Sequence, residues 1–445
     1  MRTLLRNATV IPIEPRGHVW YPGSVTIDGN HVADIGYADE VEKRASRIDR
    51  VIDVTGKVVL PGFVSVHNHL GYAIFRGLAE DFGIGAGRQL YLPMAAVLGR
   101  EERLAIGTLA AAELLRGGCT TLFEMEEDAD VMASAISDLG LRASVAVMVN
   151  DVDLDKLVHG DVEFSEKRCD AQLEQAVGFL ERCSVDGLRR ITPALAANSL
   201  TTSSPRQLRA LRDAADRHGV RLSIHLGTGE AVYLKREHGA GSIEFALEHG
   251  LLADDVLAVH GYKFTDDDIS AFAKTGAHLA HCPQVNSFRG HLAATQLFLE
   301  HGVNVGLGVD NFFSDHFDVM RSCIAVARIR SSDPQVLPAH EVLELATLGA
   351  ARALGYDSLV GSLEVGKRAD LQIVDMRRYG LTPTNNAVET LVYHAHAKDV
   401  QSVIVDGEVV VENGVVRRVD ELDLVAAAQA ASNSAWERFE MRFPS

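Results

Sequence analysis

Eight short apolar runs, each separated from the next by a segment with helical spacing, fill about 300 residues in the middle of the chain. They lie at 58–69, 119–125, 142–149, 190–197, 221–227, 256–261, 277–283 and 303–310. Strands buried on both faces read as continuous apolar runs, and the covering helices supply the amphipathic segments between them. Helix boundaries are marked. Ser204-Pro205 gives an N-cap and a first-turn proline, Leu208, Leu211, Ala214 and Ala215 form a stripe, and Gly219 closes it. Thr265-Asp266-Asp267-Asp268 opens another helix that stops before Gly276. Eight such units predict an α/β chain folded as a (β/α)8 TIM barrel over 58–356, with a doubly wound open sheet as the alternative.

The flanks have a different texture. Runs at 3–12, 23–28, 31–35 and 50–60, and again at 371–374, 400–405 and 408–416, are β-branched and separated by turn residues such as Val405-Asp406-Gly407 and Glu412-Asn413-Gly414. They predict one small β-sandwich domain built from both chain ends, 1–57 and 357–419, followed by a C-terminal helix over 420–445.

Charge and cysteine usage narrow the functional classes. Lys plus Arg number 43 against 61 Asp plus Glu, a net charge of −18 that repels phosphate backbones and anionic lipid. The expected partner is therefore a small molecule, with no nucleic acid and no membrane. Cys119, Cys169, Cys183, Cys282 and Cys323 are scattered and never spaced C-x-x-C, which argues against a disulfide framework or a thiolate zinc site. With no signal-like apolar core at 1–7 and no run of ~18 apolar residues, the expectation is a cytoplasmic protein.

In a (β/α)8 barrel the chemistry sits at the C-terminal strand ends. Here those ends carry His67-Asn68-His69, His225, His260, His281 and Asp310. Residues two apart on a strand face the same way, so His67 and His69 aim together into the barrel mouth. With His225 and Asp310 they make an N3O set suited to one divalent ion, Zn²⁺ first, with Fe, Mn or Co left open. Such an ion lowers the pKa of a bound water toward ~7, and Asp310 is placed to hold or accept the water's proton. Such residues in order at five separate strand ends are hard to ascribe to 18 histidines placed at random.

At this point the sequence resembles the metal-dependent amidohydrolase superfamily, in its cytosine-deaminase-like and chlorohydrolase-like (triazine hydrolase-like) branch. The resemblance rests on Leu60-Pro61-Gly62-Phe63-Val64-Ser65-Val66-His67-Asn68-His69, Phe75-Arg76-Gly77-Leu78 and Gly117-Gly118-Cys119-Thr120-Thr121. Further on it rests on His281-Cys282-Pro283-Gln284-Val285-Asn286, Gly306-Leu307-Gly308-Val309-Asp310-Asn311 and the turn from Gly361 to Leu371. It implies that His67, His69, His225 and Asp310 are metal ligands and that His260 orients the hydroxide or the polarised substrate atom. It also implies that His281 and Asn286 face the substrate, and that the protein is a homo-oligomer. Binuclear relatives carry a lysine at the end of the fourth strand; residues 190–198 contain none, so the resemblance implies a single metal.

The sequence departs from the family after His225. Deaminases of the family place a glutamate three residues on, where it protonates a ring nitrogen; here Thr228 stands there, with Glu230 two residues further. A threonine hydroxyl has no pKa near 7 and cannot shuttle protons as a carboxylic acid does, so Glu230 is the candidate substitute. The missing acid shifts the expected reaction toward hydrolysis of a non-peptide C–N bond of an amide, urea or amidine-like compound, cyclic or aryl, whose carbonyl a metal can polarise. Deamination of an amino-heterocycle is the alternative, followed by release of chloride or a thiol on the same scaffold and, remotely, a non-catalytic barrel.

Other residues are weaker candidates. The segment with Gly83, Gly85 and Gly87 reads as a mobile loop over the barrel mouth, from which Phe75, Arg76 and Tyr91 could line the pocket. His316, on the loop after Asp310, could touch substrate, and Glu124 or Glu126 could reach the pocket from the second strand. The stretch 361–368 nearly spells a phosphate loop, but Arg368 stands where a magnesium-binding hydroxyl belongs, and the strand-to-helix context is missing. It reads as a turn.

Overall fold

A computed structural model describes residues 1–82, 85–186 and 190–443. Eight parallel strands form one sheet in chain order: Phe63–Asn68, Cys119–Glu126, Arg142–Val149, Ile191–Ser199, Leu222–Leu226, Val256–His260, His278–His281 and Val305–Leu307. The seam between the first and the eighth is closed at the C-terminal end. There the His69 N–H donates to the Asp310 carbonyl (2.9 Å) and the Asp310 N–H to the His67 carbonyl (3.1 Å), a bridge centred on Asn68 and Asp310. The sheet is therefore a barrel and not the open alternative. Its strands are buried over most of their length, as the unbroken apolar runs require.

The helix signals act as expected. The Ser204 hydroxyl accepts from the Gln207 N–H (3.2 Å) at the start of Pro205–His218, and Gly219 ends that helix at φ 62°. Thr265 caps Asp266–Ala273 through the Asp268 N–H (3.2 Å). The last helix, Glu421–Arg442, docks on Arg100–Arg116, and its Trp436 indole donates to the Ile74 carbonyl (3.3 Å).

The remaining strands form a second, mixed sheet of nine that draws on both chain ends. Its order places Lys57–Pro61 between Leu371–Asp375 and Arg2–Val10. The apolar run 58–69 is thus two strands on two sheets, where the sequence pattern suggests one. The break falls at Gly62, where an added Cβ would lie 2.1 Å from a Thr120 side-chain atom, and the Gly62 N–H turns to the Asp370 carbonyl (3.1 Å). Periodicity cannot show such a change of sheet because both halves are fully buried. At 361–368, Gly361 takes φ 91° against Ala351, and the Lys367 ammonium is engaged by Ser362 (2.6 Å) and Glu364 (2.8 Å), which is the turn expected there.

One buried ion pair ties the two sheets. Arg142, opening the third barrel strand, makes a two-pronged contact with the Asp370 carboxylate (3.0 and 3.2 Å), whose Oδ1 also accepts from the Asp406 N–H (2.7 Å). The neighbouring carboxylates hold the Arg142 pKa above its usual value against burial. Removing one partner of a buried pair leaves an uncompensated charge, which costs about 3–5 kcal/mol. Arg142→Ala is expected to lower the urea unfolding midpoint accordingly, and the added Asp370→Asn change is expected to restore part of it.

Candidate active site

The strand ends bring their histidines to one point. His67 and His69 leave the first strand side by side, His225 sits near the end of the fifth, His260 ends the sixth, and Asp310 follows the eighth. The ring centroid of His67 lies 4.7 Å from that of His69, 4.9 Å from His225 and 5.8 Å from His260. Asp310 approaches His67 Nε2 at 3.5 Å and His260 Nε2 at 3.9 Å. His260 and Asp310 hold φ of 82° and 72°, a left-handed conformation costly for a residue with a Cβ and concentrated at functional sites.

Hydrogen bonding fixes the tautomers. His69 Nδ1 faces the Met125 carbonyl at 3.0 Å and His225 Nδ1 the Asn198 carbonyl at 2.5 Å, so each Nδ1 carries the proton and donates it. Their Nε2 atoms, 3.3 Å apart, therefore present lone pairs to each other. Neither His67 nitrogen has a hydrogen-bond partner among the described residues, nor has Asp310 Oδ2. Burial, the largest cause, holds the pKa of His67, His69, His225 and His260 below the ordinary histidine range, so the rings are neutral at neutral pH. Converging lone pairs with no proton between them are what a cation would satisfy, and two overlapping groups lie close enough to hold one, His67 with His69 and His225, and His67 with His260 and Asp310.

A cavity of about 460 Å³ opens over this cluster. Thr228, His260, Tyr262, Asn198 and Thr202 line it from the barrel strands and loops, and Arg88, Tyr91 and Leu92 from the segment after the first strand. Gly83 lies outside the described residues; Gly87–Tyr91 forms a helical turn against the cavity. Sequence reasoning missed Tyr72, Arg88, Asn198, Tyr262, Arg289 and Asn311 in this lining. Asn311 sits beside Asp310, and Asn198 ends the fourth-strand run 190–198 that lacks a lysine, which are the signals that could have found them.

Several expected contacts fall elsewhere. Arg76 does not line the cavity: its guanidinium pairs with Glu113 (2.7 and 3.0 Å) because its segment turns outward. His281 lies beneath the mouth, fully buried, with Nε2 against the Thr295 hydroxyl (3.0 Å), and Asn286 is buried in the short helix Pro283–Phe288. His316 is buried and stacked on Phe63 at a centroid distance of 5.2 Å. Glu124 accepts from the Leu70 N–H (3.0 Å) and Glu126 from Arg103 (2.7 Å), both below the cavity. Glu230 does not reach out as an acid. Its carboxylate folds back to accept from the N–H groups of Gly227 (2.6 Å), Thr228 (2.8 Å) and Gly229 (3.0 Å), and from the Thr228 hydroxyl (3.0 Å). Gly227 at φ 70° and Gly229 at φ 128° let the loop curl around it.

The family model described as "Amidohydrolase family" matches residues 58–410, and the chain belongs to that family. A 5-methylthioadenosine/S-adenosylhomocysteine deaminase of Syntrophobacter fumaroxidans is 34% identical over 418 residues, covering 92% of this chain and 93% of the relative. A 5'-deoxyadenosine deaminase of Methanosarcina mazei is 31% identical over 438 residues, covering 96% and 97%. Among solved structures, a zinc-bound adenosine deaminase from Xanthomonas campestris superposes with a TM-score of 0.89 at 26% identity over 98% of each chain. Atrazine chlorohydrolase from Arthrobacter aurescens, at 22% identity, shares the fold with a TM-score of 0.83 over 97% of this chain and 100% of that one. The chain is thus a hydrolase of the amidohydrolase family, with relatives that act on C–N bonds.

Burial lowers the pKa of His316 to about 3. Below pH 6.5 the unfolded chain takes up a proton there that the folded chain refuses until about pH 3, so this residue's contribution destabilises the fold as pH falls through that window. His316→Phe is expected to lose less stability than the parent between pH 7 and pH 5, by roughly 2 kcal/mol, read by urea unfolding at the two pH values.

Proposed function

We propose that the protein is a mononuclear metal-dependent hydrolase that deaminates the purine of an adenosine-like nucleoside. The observation that carries this is the proton-free convergence of His67, His69 and His225, with Asp310 against His67 at 3.5 Å, beneath a cavity of about 460 Å³. The deaminase relatives, matched over more than nine-tenths of the chain, supply the leaving group. They weight the amino-heterocycle alternative above the amide-type reaction expected from Thr228.

His67, His69, His225 and Asp310 would hold a divalent ion, Zn²⁺ first, which would supply a water acidic enough to attack at neutral pH. Asp310 takes a water proton at Oδ2, the oxygen with no hydrogen-bond partner among the described residues, and delivers it to the departing amine. Its Oδ1 is 2.7 Å from Asn311 when that amide is turned so that nitrogen faces the carboxylate, which leaves Oδ2 for chemistry. His260, whose Nε2 lies 3.9 Å from Asp310 Oδ2, orients the attacking oxygen beside that carboxylate. The Thr228 hydroxyl is spent on Glu230, so toward the cavity it offers a lone pair and accepts from the substrate.

That last feature favours one second reading, hydrolysis of an amide, urea or amidine-like bond, which needs no acid at position 228. In either case the setting read from the cysteines and charge is cytoplasmic, with a homo-oligomer carried over from the family resemblance. Among the described residues there is no disulfide and no helix long and apolar enough to cross a membrane.

The test is ammonia release by zinc-loaded protein from 5'-deoxyadenosine and 5'-methylthioadenosine, alongside a panel of cyclic amides and ureas. Deamination of the nucleosides is expected; turnover of the amides alone would replace it with the second reading. Asp310→Asn is expected to lower kcat by about 10²–10⁴-fold, the range for losing a general acid–base. His225→Ala is expected to purify with metal well below one ion per chain, measured by elemental analysis.

A further inference from the structure

Two half-buried guanidinium groups face the cavity, and among the described residues neither forms an ion pair with a carboxylate. Arg289 lies with its Cζ 5.6 Å over the Tyr91 ring, contacts the Tyr91 hydroxyl, and reaches the side-chain oxygen of Asn311 at 3.2 Å in that amide's satisfied orientation. Arg88 stands three residues before Tyr91 on the helical turn Gly87–Tyr91. Its Nη1 occupies the space beside Gly160, 2.9 Å from where a Cβ would be, and Gly160 at φ 99° is a position that favours glycine. Both arginines line the same cavity, Arg289 against Tyr91 and Arg88 beside Gly160.

The charge of that wall is opposite to the rest of the molecule. The chain carries −18 overall, yet the only carboxylate lining the cavity among the described residues is Asp310, which a bound divalent ion would engage. Arg289 makes its field felt at Tyr91, Tyr262 and His291, lowering the pKa of each relative to burial alone or together with it. An arginine left without a carboxylate in a half-buried cavity is suited to an oxyanion from outside the protein.

We propose that the substrate carries an anionic group, a carboxylate or a phosphate, away from the carbon that is attacked, and that Arg289 with Arg88 selects for it. The inference rests on the nucleoside reading above and narrows it to nucleosides with an acidic substituent. Arg289 and Arg88 act in specificity and are not catalytic residues.

The test is binding and turnover by zinc-loaded protein of three probes: neutral 5'-deoxyadenosine, adenosine 5'-monophosphate, and S-adenosylhomocysteine, which bears a carboxylate and an ammonium. At least one acidic probe is expected to bind about tenfold or more tighter than the neutral one by titration calorimetry, a preference that weakens with added salt. Which of the two wins separates phosphate from carboxylate. Arg289→Gln and Arg88→Gln are each expected to reduce the ratio of acidic to neutral affinity by about tenfold, the readout being the ratio and not activity. Failure of both acidic probes to bind tighter than the neutral one, or variants that weaken all three probes by the same factor, would overturn the proposal. Tight, arginine-dependent binding with no ammonia released would support the anion site and sink the deaminase reading alone. Turnover of the neutral probe without any preference would do the reverse.

Discussion

Two backbone hydrogen bonds at the mouth of the barrel, His69 to Asp310 and Asp310 to His67, close a sheet whose first and eighth strands come from opposite ends of the barrel sequence. The rest of the site depends on them. Because the bridge is made by the same residues whose side chains converge, closing the barrel and assembling the donor set are one event. The bridge also explains why Asp310 sits at φ 72°: the chain must turn sharply after Val305–Leu307 to pair with Asn68 and still present its carboxylate to His67.

Burial then gives these side chains their chemical state. Rings removed from water shed their protons, and the Met125 and Asn198 carbonyls decide which nitrogen of His69 and of His225 keeps its hydrogen. The result is an arrangement with lone pairs facing inward, unfavourable by itself and stabilised by a cation. Around it the wall chemistry changes from neutral imidazole to guanidinium over a few residues, so one cavity offers a polarising end and an anion-binding end.

Much of this was legible in the sequence, for definable reasons. The barrel could be read because strands buried on both faces leave long apolar runs, and the donor set because strand ends are fixed points of that fold. His281, His316 and Asn286 show the limit. They sit at the right places along the chain, but whether a strand-end residue turns into the mouth or under it depends on packing against neighbours such as Phe63 and Thr295. Glu230 shows another: its distance from His225 says nothing of three backbone N–H groups that curl around its carboxylate. Arg289 and Arg88 belong to no local motif and come together only as lining of one cavity.

Gly62 has a bearing on how this chain tolerates insertion and deletion. Lys57–Pro61 is locked in the middle of the mixed sheet, and Phe63–Asn68 begins one residue later in the barrel, so the joint has no slack. Losing or gaining a single amino acid at this joint would slide the whole first barrel strand by one position. Since alternate residues face opposite ways, Val66 and Asn68 after a gain, or Asn68 and Leu70 after a loss, would then point where the two imidazoles do now. A change of length outside the donor set would thereby erase two of its three histidines without altering either of them.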